Sequence, residues 1–367
     1  MSAAPPALPA TGDDAATRGT PTTLAHGLAR RDNNFNLIRL IAAWLVIYGH
    51  SYAITADPGR DLILRYVQIK FAGGVAVDVF FFVSGVLIAA SLARHSLREY
   101  LVARVLRIYP ALLVCVALTV FVLGPLATVD AGYWRDPQTW RYLWVNATLW
   151  STEHMLPGVF AGLPNQGVNG SLWSLPIEVR LYLVLALVSL VGLFRPERFN
   201  ACFVVAMAVG FLVLGTGTLK PADSNSAWCT AYFLTGAFCW HNRERIPLSW
   251  PLLFAVLCVA AATFGGPRYH VGYFLAVCYG VLMLAFVPRL PVIRHTDLSY
   301  GLYLYGWPTQ QLVQLAWPTA GWGGNTAVAT VLALLLAWAS WTWIEAPALR
   351  LKHRLVGARP AARAAMP

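Results

Sequence analysis

Arg39 and His50 are the two ionisable groups in NLIRLIAAWLVIYGHSY (36–52), a stretch that is apolar from Leu37 to Tyr48 except for Arg39. Eleven residues of helix rise about 16 Å in three turns, so both side chains point the same way. An arginine in a membrane span is costly and faces the protein interior or a wet cavity, unless it snorkels to the headgroups. A histidine on that same face adds a candidate general base. Two carboxylates lie at a similar depth on other apolar stretches: Asp78 in FAGGVAVDVFFFVSGVLIAA and Glu178 in SLWSLPIEVRLYL. Either could hold the His50 ring and stabilise its protonated form. Three ionisable groups at one level on three spans are hard to ascribe to packing. Arg104 and Arg107, three apart in RHSLREYLVARVLRIYP, share a helical face and make a fork suited to phosphate groups. Plain positive-inside anchoring is the alternative for that pair.

These groups need membrane helices to position them. The chain has 367 residues, 58% hydrophobic and 12% charged, about half the charge of a soluble domain. This composition predicts an all-α polytopic membrane protein. Ten apolar segments of spanning length fall near 36–54, 72–93, 108–128, 171–193, 199–216, 225–241, 250–265, 270–288, 298–317 and 325–345. With both termini cytoplasmic, inner segments carry 18 Lys and Arg and outer loops carry 7. That placement accounts for the net charge of +11 without nucleic acid as a partner. Residues 1–31, rich in Ala, Pro and Thr, read as a disordered tail, 32–350 as the transmembrane domain and 351–367 as a basic tail. The six cysteines fall in or beside apolar spans with no zinc-ligand spacing, so they read as buried apolar residues, and no metal is expected. Ser84-Gly85 marks close helix packing. Pro308 interrupts a ninth segment rich in Tyr, Gly and Gln, which either lines a polar cavity or kinks and packs.

Together these motifs resemble acyltransferase family 3, the integral-membrane acyltransferases that O-acetylate bacterial surface polysaccharides. The marks are Arg39 and His50 at their spacing, GVAVDVFFFVSGVLI, the RVLR pair before Tyr-Pro, SLWSLPIE, SYGLYLYGWP and the closing IEAP. They cover about 33–350 in the family's order. Asn36 stands where many members have Asp, and the chain resembles the stand-alone transmembrane form. The resemblance implies acetyl-CoA or another short acyl-CoA as cytoplasmic donor and a carbohydrate hydroxyl as acceptor across the bacterial inner membrane. His50 would then be the base, with Asp78, Glu178 and Arg39 beside the reaction and Arg104 and Arg107 on the CoA phosphates. A transient acyl-histidine stays open. A transporter or flippase of lipid-linked glycan or small solutes is the alternative from another class, with the charges lining a transport path.

Overall fold

The computed structural model describes residues 22–356 apart from 31, 58, 60, 288–289 and 294–295. The chain is an all-α polytopic membrane protein. In order its helices are α1 (Leu24–Ala29), α2 (Phe35–Ile54), α3 (Leu62–Val67), α4 (Ala72–Arg94), α5 (Leu97–Leu118), α6 (Gly124–Ala127), α7 (Pro137–Thr148) and α8 (Leu175–Leu190). They continue as α9 (Pro196–Gly215), α10 (Pro221–His241), α11 (Trp250–Ala262), α12 (Tyr269–Phe286), α13 (Ser299–Ala316), α14 (Gly321–Ser340) and α15 (Ala346–Val356). A π-helical turn, Thr119–Leu123, joins α5 to α6, and another, Trp341–Glu345, joins α14 to α15.

Each of the ten apolar segments is helical, but seven helical segments among the described residues are long and apolar enough to cross a membrane. α10 and α13 fall short of that apolarity and α11 is short. For α13 the reason is position. Every residue from Ser299 to Gln311 is buried, so its Tyr, Thr and Gln side chains meet protein and not lipid. It is the central helix, flanked by α2 and α14. At the other extreme α9 buries only Phe199 and stands at the periphery.

α4 and α10 cross at close range. A Cβ on Gly85 would sit 2.0 Å from the Phe233 carbonyl oxygen, and one on Gly236 would sit 2.2 Å from that of Phe82. Glycine at both positions lets the backbones touch, the packing expected of Ser84-Gly85.

The tail expected over 1–31 folds before its expected end. α1 is capped by Thr23, buries Leu24, and is tied to the loop after α10 by Leu24 N–H to Ile246 O (2.9 Å) and Ala25 N–H to Arg243 O (3.0 Å). Most of the expected C-terminal tail, 357–367, and residues 1–21 lie outside the described residues. All six cysteines are free; four are buried, while Cys202 and Cys258 are exposed.

Candidate functional site

The site is organised by α13. Pro308 has no N–H, so the Leu304 carbonyl one turn back loses its helical partner. Asn169 Nδ2 donates to that carbonyl at 2.9 Å, and the Cys115 thiol reaches it at 3.7 Å. The same loop is pinned at two further points. Trp307 Nε1 donates to Gly167 O at 2.7 Å, and Gln311 Nε2 to Asn165 O and Gly167 O at 2.8 and 2.6 Å. On the opposite side, Gln310 Nε2 ties α13 to α2 through Ile47 O and Ser51 Oγ, both at 2.8 Å.

His50 lies near the end of α2 and lines a chamber of about 330 Å³ with Lys70, Asp78, Trp173, Asn225 and Tyr303. Its Nδ1 is 2.7 Å from the Val46 carbonyl. A carbonyl oxygen only accepts, so Nδ1 carries the proton and the neutral ring keeps its lone pair on Nε2. Phe71 and Trp307 stand edge-on to the imidazole, with centroids at 5.3 and 4.7 Å. Asp78 is fully buried and holds Lys70 Nζ at 2.7 Å and the Tyr273 hydroxyl at 3.1 Å. Asp61, not anticipated from the sequence, fixes the approach of Lys70 and Phe71. It caps α3 through Leu64 N–H (2.6 Å) and takes the Ala72 N–H at the start of α4 (3.0 Å).

Toward the Arg39 end of α2 the chamber adjoins a slot of about 40 Å³, and Val77 and Tyr303 belong to both walls. Arg39, Ser84, Ser174, Glu178 and Ser299 line the slot. Glu178 accepts from Ser84 Oγ at 3.1 Å and from the Tyr182 hydroxyl, both on Oε1. Beyond it lies a charge cluster. Asp297, in the loop before α13, binds Arg39 Nη1 and Arg107 Nη2, each at 2.6 Å, and accepts from Ser299. Arg107 continues to Glu345 at 3.0 Å, which also accepts from Ser340. Burial pushes the Asp297 carboxyl up, but Arg39 and Arg107 outweigh it and hold the group well below the usual carboxylate range.

The structure thus brings His50 and Asp78 to one chamber and Arg39 and Glu178 to the next. It corrects two expectations. Neither carboxylate holds the His50 ring: Asp78 is engaged by Lys70, Glu178 by Ser84 and Tyr182, and a backbone carbonyl fixes the tautomer instead. Arg104 and Arg107 do not form a phosphate fork either. Their shared face turns into the bundle, where Arg107 is committed to Asp297 and Glu345. Arg104 makes no ion pair among the described residues; it lies over the Tyr182 ring at 5.9 Å, and its buried Nε lacks a hydrogen-bond partner. Arg180 donates to the Trp150 carbonyl at 2.5 Å. Lys70 and Asp297 were missed because both sit just outside apolar helices, where a charge carries no special signal.

Comparison with known proteins places this arrangement. The acyltransferase domain family matches the sequence over residues 32–342. The chain is 26% identical to the O-acetyl transferase of Shigella phage Sf6 over 328 residues, covering 86% of this chain and 95% of the phage protein. It is 29% identical to nodulation protein 10 of Rhizobium leguminosarum bv. viciae over 362 residues, covering 89% and 96% of the two chains. No solved structure gave a significant match.

Proposed function

The chain belongs to the acyltransferase domain family, and on that premise we propose a membrane O-acyltransferase that takes an acetyl or other short acyl group from cytoplasmic acyl-CoA. The acceptor is a hydroxyl of a cell-surface glycan or lipid-linked sugar on the far side of the bacterial inner membrane. The excess of Lys and Arg in alternate loops supports cytoplasmic termini, which puts the Arg39 end inside and the His50 chamber toward the outside.

The observation that carries this reading is the His50 ring. With Nδ1 donating to Val46, Nε2 has a free lone pair, and His50 lines a chamber roomy enough for a sugar ring. In the reaction Nε2 takes the acceptor O–H proton as the oxygen attacks the thioester carbonyl. The tetrahedral intermediate then collapses, the C–S bond breaks, and the leaving thiolate recovers the proton from the imidazolium as CoA thiol. Lys70 and Asn225, in the same chamber, are the donors available to the developing oxyanion. Arg104, which makes no ion pair among the described residues and lies over the Tyr182 ring, is the arginine of the original pair suited to a CoA phosphate.

Purified protein in detergent, without a membrane gradient, tests the reading with radiolabelled acetyl-CoA. An enzyme transfers or hydrolyses the label, whereas a flippase leaves it on CoA. His50→Gln should fold and bind CoA but lose at least about 10²-fold in kcat. Near wild-type turnover would reject His50 as the base.

A further inference from the structure

α9 leans on the bundle without closing against it. Phe203, Met207, Gly210, Phe211 and Leu214 recur at helical spacing as its inward stripe, yet each is only half-buried. Two apolar clefts account for this. One, of about 240 Å³, lies between α9 and α10 and runs past Gly210 and Leu214 to Ser226 and Thr230. The other, of about 390 Å³, runs from Phe203 to Phe238 on α10 and to Phe274 and Cys278 on α12. Met207 and Phe211 belong to both walls, so the clefts adjoin along α9 as one groove. From Phe203 to Leu214 its lining covers about 16 Å of helix rise. α10 is the partition between this groove and the His50 chamber. Asn225 and Cys229, one turn apart, line the chamber, whereas Ser226, Thr230 and Leu234 line the groove. Successive residues point about 100° apart around a helix, so two sides of the same outer turn serve the two spaces. Just above that turn stands Lys220, the one Lys or Arg between Leu214 and Ser226. It is exposed and makes no ion pair among the described residues, Asp223 included.

We propose that the groove along α9 holds the hydrocarbon tail of a lipid-linked sugar phosphate, with the phosphate at Lys220 and the sugar in the His50 chamber. The order of parts matches such a molecule. A polar chamber, a cation at the rim and an apolar trough follow one another around the outer end of α10. Asn225, whose amide makes no hydrogen bond among the described residues, is the group the sugar meets beside the partition. Lipid tails are as apolar as the groove, so the groove adds little affinity over the bilayer itself. Its work is placement. The phosphate and the sugar select the molecule, and the groove keeps the tail on the α9 side while the hydroxyl faces His50. A finished polysaccharide carries no tail and leaves the groove to bulk lipid. The inference rests on the acyltransferase reading above and narrows its acceptor to the lipid-linked class.

The probe is farnesyl phosphate with a photoreactive diazirine at the far end of its chain, added to the purified full chain in detergent. Irradiation should label the 203–214 segment of α9 or the facing turns of α10 and α12, and unlabelled farnesyl phosphate should compete. Gly210→Phe should bring that labelling to background. The new ring fills the groove, and nothing lies within 4 Å of a Cβ at that position to oppose folding. Ala227→Leu narrows the groove from α10 and serves if Gly210→Phe does not fold. Lys220→Ala should lower labelling about threefold, the worth of one exposed charge contact. Three results overturn the groove assignment and leave the acyltransferase reading standing: label as heavy on the lipid-facing sides of α5 and α14 as on α9, labelling untouched by Gly210→Phe, or equal competition by phosphatidylglycerol. Wild-type protein that leaves labelled acetyl-CoA intact overturns the acyltransferase reading, and the acceptor role of the groove with it.

Discussion

Asp297 is the residue on which the Arg39 end of the bundle depends, and Asp297→Asn measures how much. The carboxylate makes two charge-assisted contacts at 2.6 Å, to Arg39 and Arg107, and its side chain is 14% exposed. At about 1.5–3 kcal/mol per bond to a charged group, the two are worth about 3–6 kcal/mol. Removing one partner of a buried ion pair costs about 3–5 kcal/mol. Glu345 still faces Arg107, so the expected loss lies at the lower bound, about 3 kcal/mol. Denaturant titration in detergent, followed by tryptophan fluorescence, reads it. The pH dependence supplies a second check. The folded state lowers the pKa of Asp297, so its contribution is complete above the unfolded value of about 3.9 and fades as pH falls below it. The gap between wild type and variant should therefore be flat from neutrality to about pH 5 and shrink below about pH 4. A loss under about 1 kcal/mol, the worth of an exposed pair, would refute the claim that Asp297 neutralises both arginines.

Two other substitutions probe the frame. Gly85→Ala places a Cβ against the Phe233 carbonyl and should cost about 1–3 kcal/mol in the same titration, whereas Gly210→Ala, with nothing within 4 Å of its new Cβ, should cost nothing. Equal effects would reject the close α4–α10 crossing. Asn169→Leu leaves the Leu304 carbonyl with only the weak Cys115 thiol contact and should cost about 1–3 kcal/mol. Adding Pro308→Ala, which restores an N–H to that carbonyl, should reduce the cost; strict additivity would reject the link.

The helices were legible because apolar runs of spanning length are a strong pattern, and all ten expected segments are helical. The count of spans was less legible. The polarity of α13 reflects helices around it, which local composition does not record. Charged residues inside apolar runs also stood out, so Arg39, His50, Asp78 and Glu178 were identified as unusual before any geometry was known. Their partners were not readable. The His50 ring is fixed by the Val46 carbonyl, a group every residue possesses. Asp297 meets Arg39 across 258 positions of sequence, and nothing in its loop distinguishes it from a solvated aspartate. Arg107 shows the converse: a spacing that favours a ligand also favours two carboxylates of the protein's own.

The bond from Asn169 to the Leu304 carbonyl bears on how the chain is assembled. In hydrocarbon, a carbonyl without a partner costs several kcal/mol. α13 therefore cannot settle at its final depth as an isolated helix. It needs the 165–169 loop, made earlier in synthesis, to be folded and waiting. The loop is held from its own side by Val168 N–H to His154 O (2.7 Å), and α13 adds the bonds from Trp307 and Gln311. The Leu304 carbonyl is therefore satisfied only when α13 and the loop dock together. That same event brings Trp307 against His50, so the chamber is completed when the core is sealed and a half-inserted chain lacks it.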